Sequence, residues 1–525
     1  MENRFNLIDE PWIPVADVGR VSLKEIFSNS QLRALGGNPV QKIAITKLLL
    51  AIAQSAATPD DDDDWKHMGW QGMADKCLNY LEKWHDRFFL YGERPFLQMP
   101  AIKTLIDRRA SEKILLANTK SKILEIESSS KPKPIGAGYY PDIWAGNNTI
   151  LFQTLSPQDI NNQDLAMFII LIMNFSFGGK RVESNITNLS GKLLSAQYSA
   201  PAGPSLGGFV GNLHCFGFTE TLLESIWFNL FSTEQIAERV VWSGVGHPPW
   251  EAMPEKESDV SSEKYSKTYM ATLIALSRFA LLQDGDIYYM DGIQYPKVAD
   301  GWLETSLLIN QSDAVPRPIY VNLDKKPWRD LSSWLSYSSS NGVECVGLNW
   351  VKRRIKKESR VLTVWVGGIK VTSNSGDQSV KQRDEFIESY FDIHTDYLGN
   401  IETEQYKFEI AELSVATSYL KKSVERYFHQ VGDPKPTDVR KKTRAKDVSL
   451  IAEKRMWQLC ERHSQQLIHA CFSKGSNPED LLSLRKTFAT YAIQVFDKIC
   501  PNDSARQMDA WAQARPNFSK YLKAD

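Results

Sequence analysis

The sequence predicts an α+β protein: a large mixed α/β N-terminal domain over residues 1–400, followed by an antiparallel four-helix bundle over 401–525. Three observations predict it. Up to about residue 400, short alternating runs and helical patterns are interleaved with Gly/Pro turns. Beyond Glu402, apolar residues recur only at three and four spacing, the period of helices that pack on one another. At 525 residues the chain also exceeds one ordinary core, so two or more domains are expected, with the boundary at 390–402.

In chain order, Phe5 to Val15 alternates as an edge strand. Ile43 to Ala56 reads as an amphipathic helix, and Asp75 to Leu90 as another, with Trp84 and Phe88 four apart on one face. Between them, Asp60 to Asp64 is a solvated acidic loop or helix start, since consecutive carboxylates do not converge on a metal. Ser128 to Tyr140 is polar, Pro-spaced and Gly-rich, the pattern of a flexible insertion. Leu165 to Phe175 is the longest apolar run, with Asn174 and Ser176 at its end, and Val240 to Ser266 is a second irregular stretch. The bundle segments are Glu404 to Gln430, Lys446 to Phe472, Pro478 to Ile499 and Ser504 to Leu522, with Trp457 and Trp511 buried in the pattern.

Composition narrows the function classes. Hydrophobic residues at 42% and charged residues at 24% are typical of globular proteins and argue against disorder or a low-complexity scaffold. A net charge of −1 means that any phosphate-binding surface must be built from local patches. Six scattered cysteines without a CxxC pair read as reduced thiols in a cytoplasmic protein. The start lacks a signal-peptide pattern, and about 18 uninterrupted apolar residues are nowhere reached, so a soluble protein with no membrane partner is expected.

A catalytic constellation does not stand out. His214 and Cys215 are adjacent, but neighbours on a strand face opposite ways. GxxxxGK[ST], HExxH and a strand-to-helix GxGxxG are all absent, so no catalytic residue, metal site or cofactor is expected. Two alternatives to a binding function remain at this stage: an unrecognised metal-dependent nuclease using dispersed Asp and Glu, and a purely structural scaffold.

Binding candidates are more definite. In Val361 to Arg383, an apolar strand runs through Gly367-Gly368 into a polar hairpin tip carrying Gln378 and leaves through Lys381 and Arg383. A short amide can meet a base edge while the cations hold phosphates; the same pattern also suits a solvated hairpin. Phe177-Gly178-Gly179-Lys180-Arg181 is a glycine turn beside two cations, or a helix C-cap followed by a solvated turn. Lys352-Arg353-Arg354, Lys356-Lys357 and Arg360 place six cations in nine residues, and Arg440-Lys441-Lys442 with Arg444 and Lys446 forms another run; both suggest positive patches.

Distributed segments then carry a resemblance: FNLIDEPWIPV (Phe5 to Val15), VSLKEIF (Val21 to Phe27), ITKLLLAIAQ (Ile45 to Gln54), WHDRFFLYGERPFLQ (Trp84 to Gln98), AGNNTILFQT (Ala145 to Thr154), KPWRDL (Lys326 to Leu331) and VWVGGIKV…DQSV (Val364 to Val380). Together with the terminal helices they resemble, in order and over nearly the whole chain, the large subunit (CasA family) of the type I-E CRISPR Cascade surveillance complex. The resemblance implies a DNA-recognition subunit that is not an enzyme. It would recognise the motif flanking the target (PAM) in double-stranded DNA, begin strand separation for R-loop formation, and recruit a helicase-nuclease, beside crRNA-containing partner subunits that read the rest of the target.

It further implies that Gln378 is a wedge pushed into the duplex, with Ser379 where the family has a small residue. Ser176 to Gly179 would be a glycine loop approaching the PAM from the minor groove, and Phe152, Gln153 and Thr154 the tip of a first mobile loop. Cysteine pairs that bind zinc in some members are missing, so zinc is not expected. The family's PAM-reading lysine has no secure counterpart; Lys264, Lys267 and Arg278 are candidates. Minor-groove readout is degenerate, so tolerance of several PAM sequences is expected.

Overall fold

The computed structural model describes residues 4–107, 112–117, 123–128, 161–176, 178, 188–191, 201–207, 211–312, 314–335, 342–355, 360–374, 377–379, 386–397, 400–432, 444–472 and 478–523. The Ser128 to Tyr140 insertion lies almost wholly outside these residues. The α+β expectation holds, with helices and short strands mixed before residue 400 and helices after it. Two compact units divide the chain. One comprises Met1–Leu323, Gly342–Arg354 and Val364–Ser389; the other comprises Asp324–Asn341, Ile355–Thr363 and Tyr390–Asp525. The partition is therefore not the single cut at 400 that periodicity suggests, because the strands Val361–Ile369 and Phe386–His394 each run from one unit into the other.

The first unit is organised around the helix Pro39–Ala57. Asn38 caps it, accepting from the Gln41 amide at 3.0 Å, and Pro39 occupies the first turn, where its missing N–H costs nothing. Fifteen of its 19 residues are buried, because the helices Asp62–Lys83, Asn162–Phe175 and Leu222–Phe228 all pack on it. The amphipathic reading is thus corrected: this helix is enclosed on every side, and its length and apolarity, enough to cross a membrane, serve a core.

The expected helix from Asp75 to Leu90 starts earlier and ends sooner. It runs Asp62–Lys83, kinks at Gly69 (φ 63°), and gives way to a single 3-10 turn at His85–Arg87, so Trp84 and Phe88 do not share a helical face. The acidic run is its cap: the Asp61 carboxylate accepts from the Asp63 and Asp64 amides at 2.9 and 2.8 Å. Phe5 to Val15 is a strand only over Ile13–Val15, paired with Gly19–Val21. The stretch Val240 to Ser266, read as irregular, ends in a capped helix, Val260–Ser266.

Strands are short and paired locally. Arg278–Gln283 and Asp286–Asp291 form a hairpin whose two-residue connection, Asp284 and Gly285, has φ of 54° and 81°, the left-handed pair that matches strand twist. A three-stranded sheet has the order Phe386–His394, Val361–Ile369, His214–Phe218.

The second unit is helical beyond residue 400. The four expected segments appear as six helices: Asn400–Val431, Arg444–Glu461, Ser464–Cys471, Pro478–Ile499, Ala505–Ala514 and Ser519–Leu522. The second segment breaks at Arg462-His463 and the fourth at Arg515-Pro516, where proline lacks the N–H a continuing helix needs. The first, second and fourth of these helices pack pairwise. Among them, Arg485 grips Glu409 through Nε to Oε2 at 2.9 Å and Nη2 to Oε1 at 2.6 Å, with Glu409 only 2% exposed. Trp457 packs edge-on against Trp328 and carries the Arg329 guanidinium 3.6 Å from its ring centroid.

Candidate nucleic-acid interface

Gln378 is carried by a hairpin that grows from a locked strand. Val364 to Ile369 are all buried. Gly367 and Gly368 are glycine because neighbours occupy the space: a Cβ on Gly367 would stand 2.5 Å from the Trp365 ring, and one on Gly368 2.5 Å from the Asn212 carbonyl oxygen. Trp365 Nε1 donates to Glu388 at 2.7 Å, and Lys42 pairs with the same carboxylate at 2.7 Å. Gly211, at φ 85°, lies so close to Ile369 that a Cβ would stand 1.9 Å from its carbonyl oxygen.

Three residues beyond this fixed end, Thr372–Asn374 pairs antiparallel with Asp377–Ser379 in the register Thr372↔Ser379, Ser373↔Gln378 and Asn374↔Asp377. Gln378 thus sits one pair behind the connection Ser375-Gly376, not at the tip as the sequence suggested. Lys381 and Arg383 lie outside the described residues, as do Phe152, Gln153 and Thr154.

The second element begins where the helix Asn162–Phe175 stops. Asn174, 2% exposed, turns its amide inward, donating to the Leu273 carbonyl at 2.7 Å and accepting from the Ala275 amide at 3.2 Å. The Asn174 carbonyl accepts from Ser205 and Leu206 amides at 3.2 and 3.3 Å, and the Ser176 carbonyl from the Gly203 amide at 2.8 Å. The carbonyls that a helix end leaves open are satisfied here by a separate segment of chain. Gly203 must lack a side chain, since its Cβ would meet the Asn174 oxygen at 2.2 Å. Gly178 is buried beside this knot; Phe177, Gly179 and Lys180 lie outside the described residues.

The cation candidates separate cleanly. Lys264 and Lys267 are exposed, and Lys267 pairs with Glu263 at 3.0 Å. Arg278 is 1% exposed and cannot reach a duplex; its Nη1 and Nη2 donate to the Ser277 and Pro201 carbonyls at 2.8 and 2.9 Å.

The basic run Lys352-Arg353-Arg354 is likewise not a surface patch. It lies on the helix Val346–Ile355, which buries Lys352 and Arg354 and leaves Arg353 exposed. Burial pushes the Lys352 ammonium down to about 8. Arg354 lies 4.3 Å from the Trp65 ring centroid and donates to Asp62, Gln235 and the Phe228 and Leu230 carbonyls. Trp65 in turn stacks on Trp227 at 4.0 Å, each indole N–H donating to the other residue's carbonyl. Lys356 and Lys357 lie outside the described residues, as do Arg440 to Lys442; Arg444 is exposed and Lys446 half-buried.

His214 and Cys215 do not form a dyad. His214 bonds the Ser306 hydroxyl at 3.0 Å and the Ser205 carbonyl at 2.8 Å, while burial and the nearby Cys345 thiol push the Cys215 thiol up, away from a reactive thiolate. Among the described residues, no group of three or more His, Cys, Asp or Glu side chains is placed to hold a metal. Asn174, Gly203 and Ser277, which build the knot, were not singled out as a site. Their signal in the sequence was faint: polar or small residues closing apolar runs.

These features define a class: a large α+β chain with a helical C-terminal portion, whose candidate elements are a hairpin beyond a buried strand end and a helix terminus held on buried polar anchors. The profile of the CRISPR-associated protein Cse1 family matches residues 6–495, and the chain belongs to that family. A curated relative, the CRISPR-associated protein CasA/Cse1 of Thermus thermophilus, is 38% identical over 107 residues; the match spans 18% of this chain and 21% of that relative. The fold is similar to the crystal structures of Thermus thermophilus CasA (17% identity, TM-score 0.69, 99% of each chain) and Thermobifida fusca Cse1 (16%, 0.69, 99% of this chain and 97% of that one). It is similar also to a chain of a CRISPR RNA-guided surveillance complex (13% identity, TM-score 0.62, 99% of each chain).

Proposed function

We propose that the chain is the DNA-recognition subunit of an RNA-guided antiviral surveillance complex of the type I-E kind, working in the cytoplasm beside crRNA-containing subunits. It recognises the PAM in duplex DNA, starts strand separation, and helps recruit a helicase-nuclease; it carries out no chemistry itself. Family membership and the full-length likeness to a chain of a surveillance complex support this reading. The observation that carries it is the hairpin of Gln378, which begins three residues beyond a strand end packed too closely to yield. A wedge needs such a base, because separating base steps costs a few kcal/mol each and a yielding support would absorb the push. Lys180, Lys381 and Arg383 are residue types that suit phosphates.

In the assembled complex, Gln378→Ala is expected to slow R-loop formation on relaxed DNA by about tenfold or more, the scale of one lost wedge contact, while docking to PAM-bearing duplex changes little. Stopped-flow unwinding alongside equilibrium binding measures both. Full R-loops at the normal rate would remove the wedge assignment. PAM-dependent binding should also weaken steeply with salt, as phosphate contacts require.

A further inference from the structure

We propose that one exposed face of the helix Asn400–Val431 is a platform for single-stranded DNA, on which Tyr419 stacks a base while Lys422, Arg426 and Arg506 hold phosphates. The inference rests on the proposed strand-separating role, since opening a duplex creates such a strand, and it adds where that strand is held. The helix buries Leu413, Leu420, Val424 and Tyr427 among its neighbours. Steps of four, three and four residues set Val415, Tyr419, Lys422 and Arg426 in a row along another side, about 16 Å long at 1.5 Å per residue. Val415 is 63% exposed and Tyr419 37%, and both cations are exposed as well.

Two features set this row apart from an ordinary solvated face. The first is the pair of large apolar side chains left in water on a helix that had polar residues to spare. The second is charge without a counter-ion. On the same helix Lys407 pairs with Glu404 at 3.2 Å and Lys421 with Glu453 at 2.5 Å, whereas Lys422 and Arg426 form no ion pair among the described residues. Glu425, next to Arg426 in sequence, lies 3.8 Å from His429. The helix dipole accounts for neither cation, because its reach ends within the last turn and both stand before it. Arg506, also exposed, joins them from the helix Ala505–Ala514, its Nη2 donating to the Gln430 carbonyl at 3.3 Å.

This chemistry selects a single strand. The bases of a duplex are already stacked on one another, whereas an unpaired strand offers π faces to any aromatic ring while cations follow its phosphates. An acidic peptide would satisfy the cations and leave the ring in water. Tyr419 is already held in place, its ring at 81° to that of buried Phe518 with centroids 5.8 Å apart, so little freedom is lost on stacking. Lys422 and Arg426 are one turn apart, about 6 Å along the axis, a spacing on the scale of successive phosphates in an extended strand.

The test titrates the full chain with a labelled mixed-sequence oligodeoxynucleotide, single-stranded or annealed, by fluorescence anisotropy over a range of salt. Tyr419→Ala is expected to weaken single-strand binding by about tenfold, the scale of one base stacked on a ring, with duplex binding within about twofold; Tyr419→Phe, which keeps the ring, should bind like the parent. Lys422→Gln combined with Arg426→Gln should lower the slope of log affinity against log salt by about 1.4, at about 0.7 per phosphate contact on a single strand. Equal losses on both forms of DNA, a Phe variant as weak as the Ala one, or an unchanged salt slope overturns the proposal. Polyglutamate bound more tightly than the oligonucleotide also overturns it, and makes the face a dock for an acidic protein. In the assembled complex, Tyr419→Ala is expected to shorten the lifetime of an R-loop by about tenfold without changing the rate at which it opens. An unchanged lifetime sinks the platform, whereas an unchanged opening rate in Gln378→Ala removes the wedge and leaves the strand affinity of this face standing.

Discussion

Glu304→Ala is expected to lower the stability of the unit that contains it by about 3–5 kcal/mol, read as a shift of the urea unfolding midpoint. Glu304 and Lys47 are each 1% exposed in their side chains and pair at 2.9 Å. Ser205 donates to both carboxylate oxygens of Glu304 at 3.0 and 2.9 Å, Ser306 donates at 3.1 Å, and Lys47 also donates to Ser205 at 2.7 Å. Burial pushes the Lys47 ammonium down while Glu304 holds it up; burial likewise opposes the Glu304 carboxylate, but Lys47 and His214 hold it below the usual carboxylate range. Removing the carboxylate leaves an ammonium in the core with no anion. Replacing both partners with apolar residues, Lys47→Met with Glu304→Leu, is expected to recover most of the loss, because an apolar pair of similar volume carries no desolvation cost. A double variant as unstable as the single one would show that the hydroxyl contacts, not the charge, hold this site.

The same cluster fixes an acid response. Burial holds the His214 imidazole below its ordinary 6.5, though Glu304 opposes the shift. As pH falls below about 6.5, the unfolded chain takes up a proton that the folded chain refuses, so stability is expected to decline; Glu304 extends the decline below its ordinary 4.5. His214→Gln should flatten the upper part of that slope and leave the lower part.

Gly211→Ala is expected to cost about 2–5 kcal/mol and to slow strand separation in the assembled complex as well. Two effects add. Alanine at φ 85° adopts a backbone that side-chain-bearing residues avoid, and its Cβ would stand 1.9 Å from the Ile369 carbonyl oxygen. That collision is with backbone, so the strand end must move, and Thr372 of the Gln378 hairpin is three residues further on. A variant as stable as the parent, with normal R-loop kinetics, would mean that the strand end yields without consequence.

Two structural elements of the candidate site were legible as local chemistry. Polar residues around Gly376 marked a hairpin, and a strand pairing is found there, although the register sets Gln378 one pair back from its tip. Asn174 and Ser176, closing an apolar run, marked the end of the helix Asn162–Phe175. The basic run at Lys352 misled, because a list of charges carries no burial: the helix buries both Lys352 and Arg354, and Arg354 meets partners far away in sequence. Arg278 misled in the same way, and its carbonyl partner at Pro201 is 77 residues distant.

By itself, the sequence determined the α+β class, the predominantly helical character of the described residues past 400 and the residues that resemble Cse1, because periodicity and short motifs are local properties. Only the tertiary structure decided which helix is enclosed, which cations are buried and which glycines are glycine for lack of room. Those depend on chain segments meeting across hundreds of residues, as Lys47 meets Glu304 and Gly211 meets Ile369, and no local pattern records who the neighbour will be.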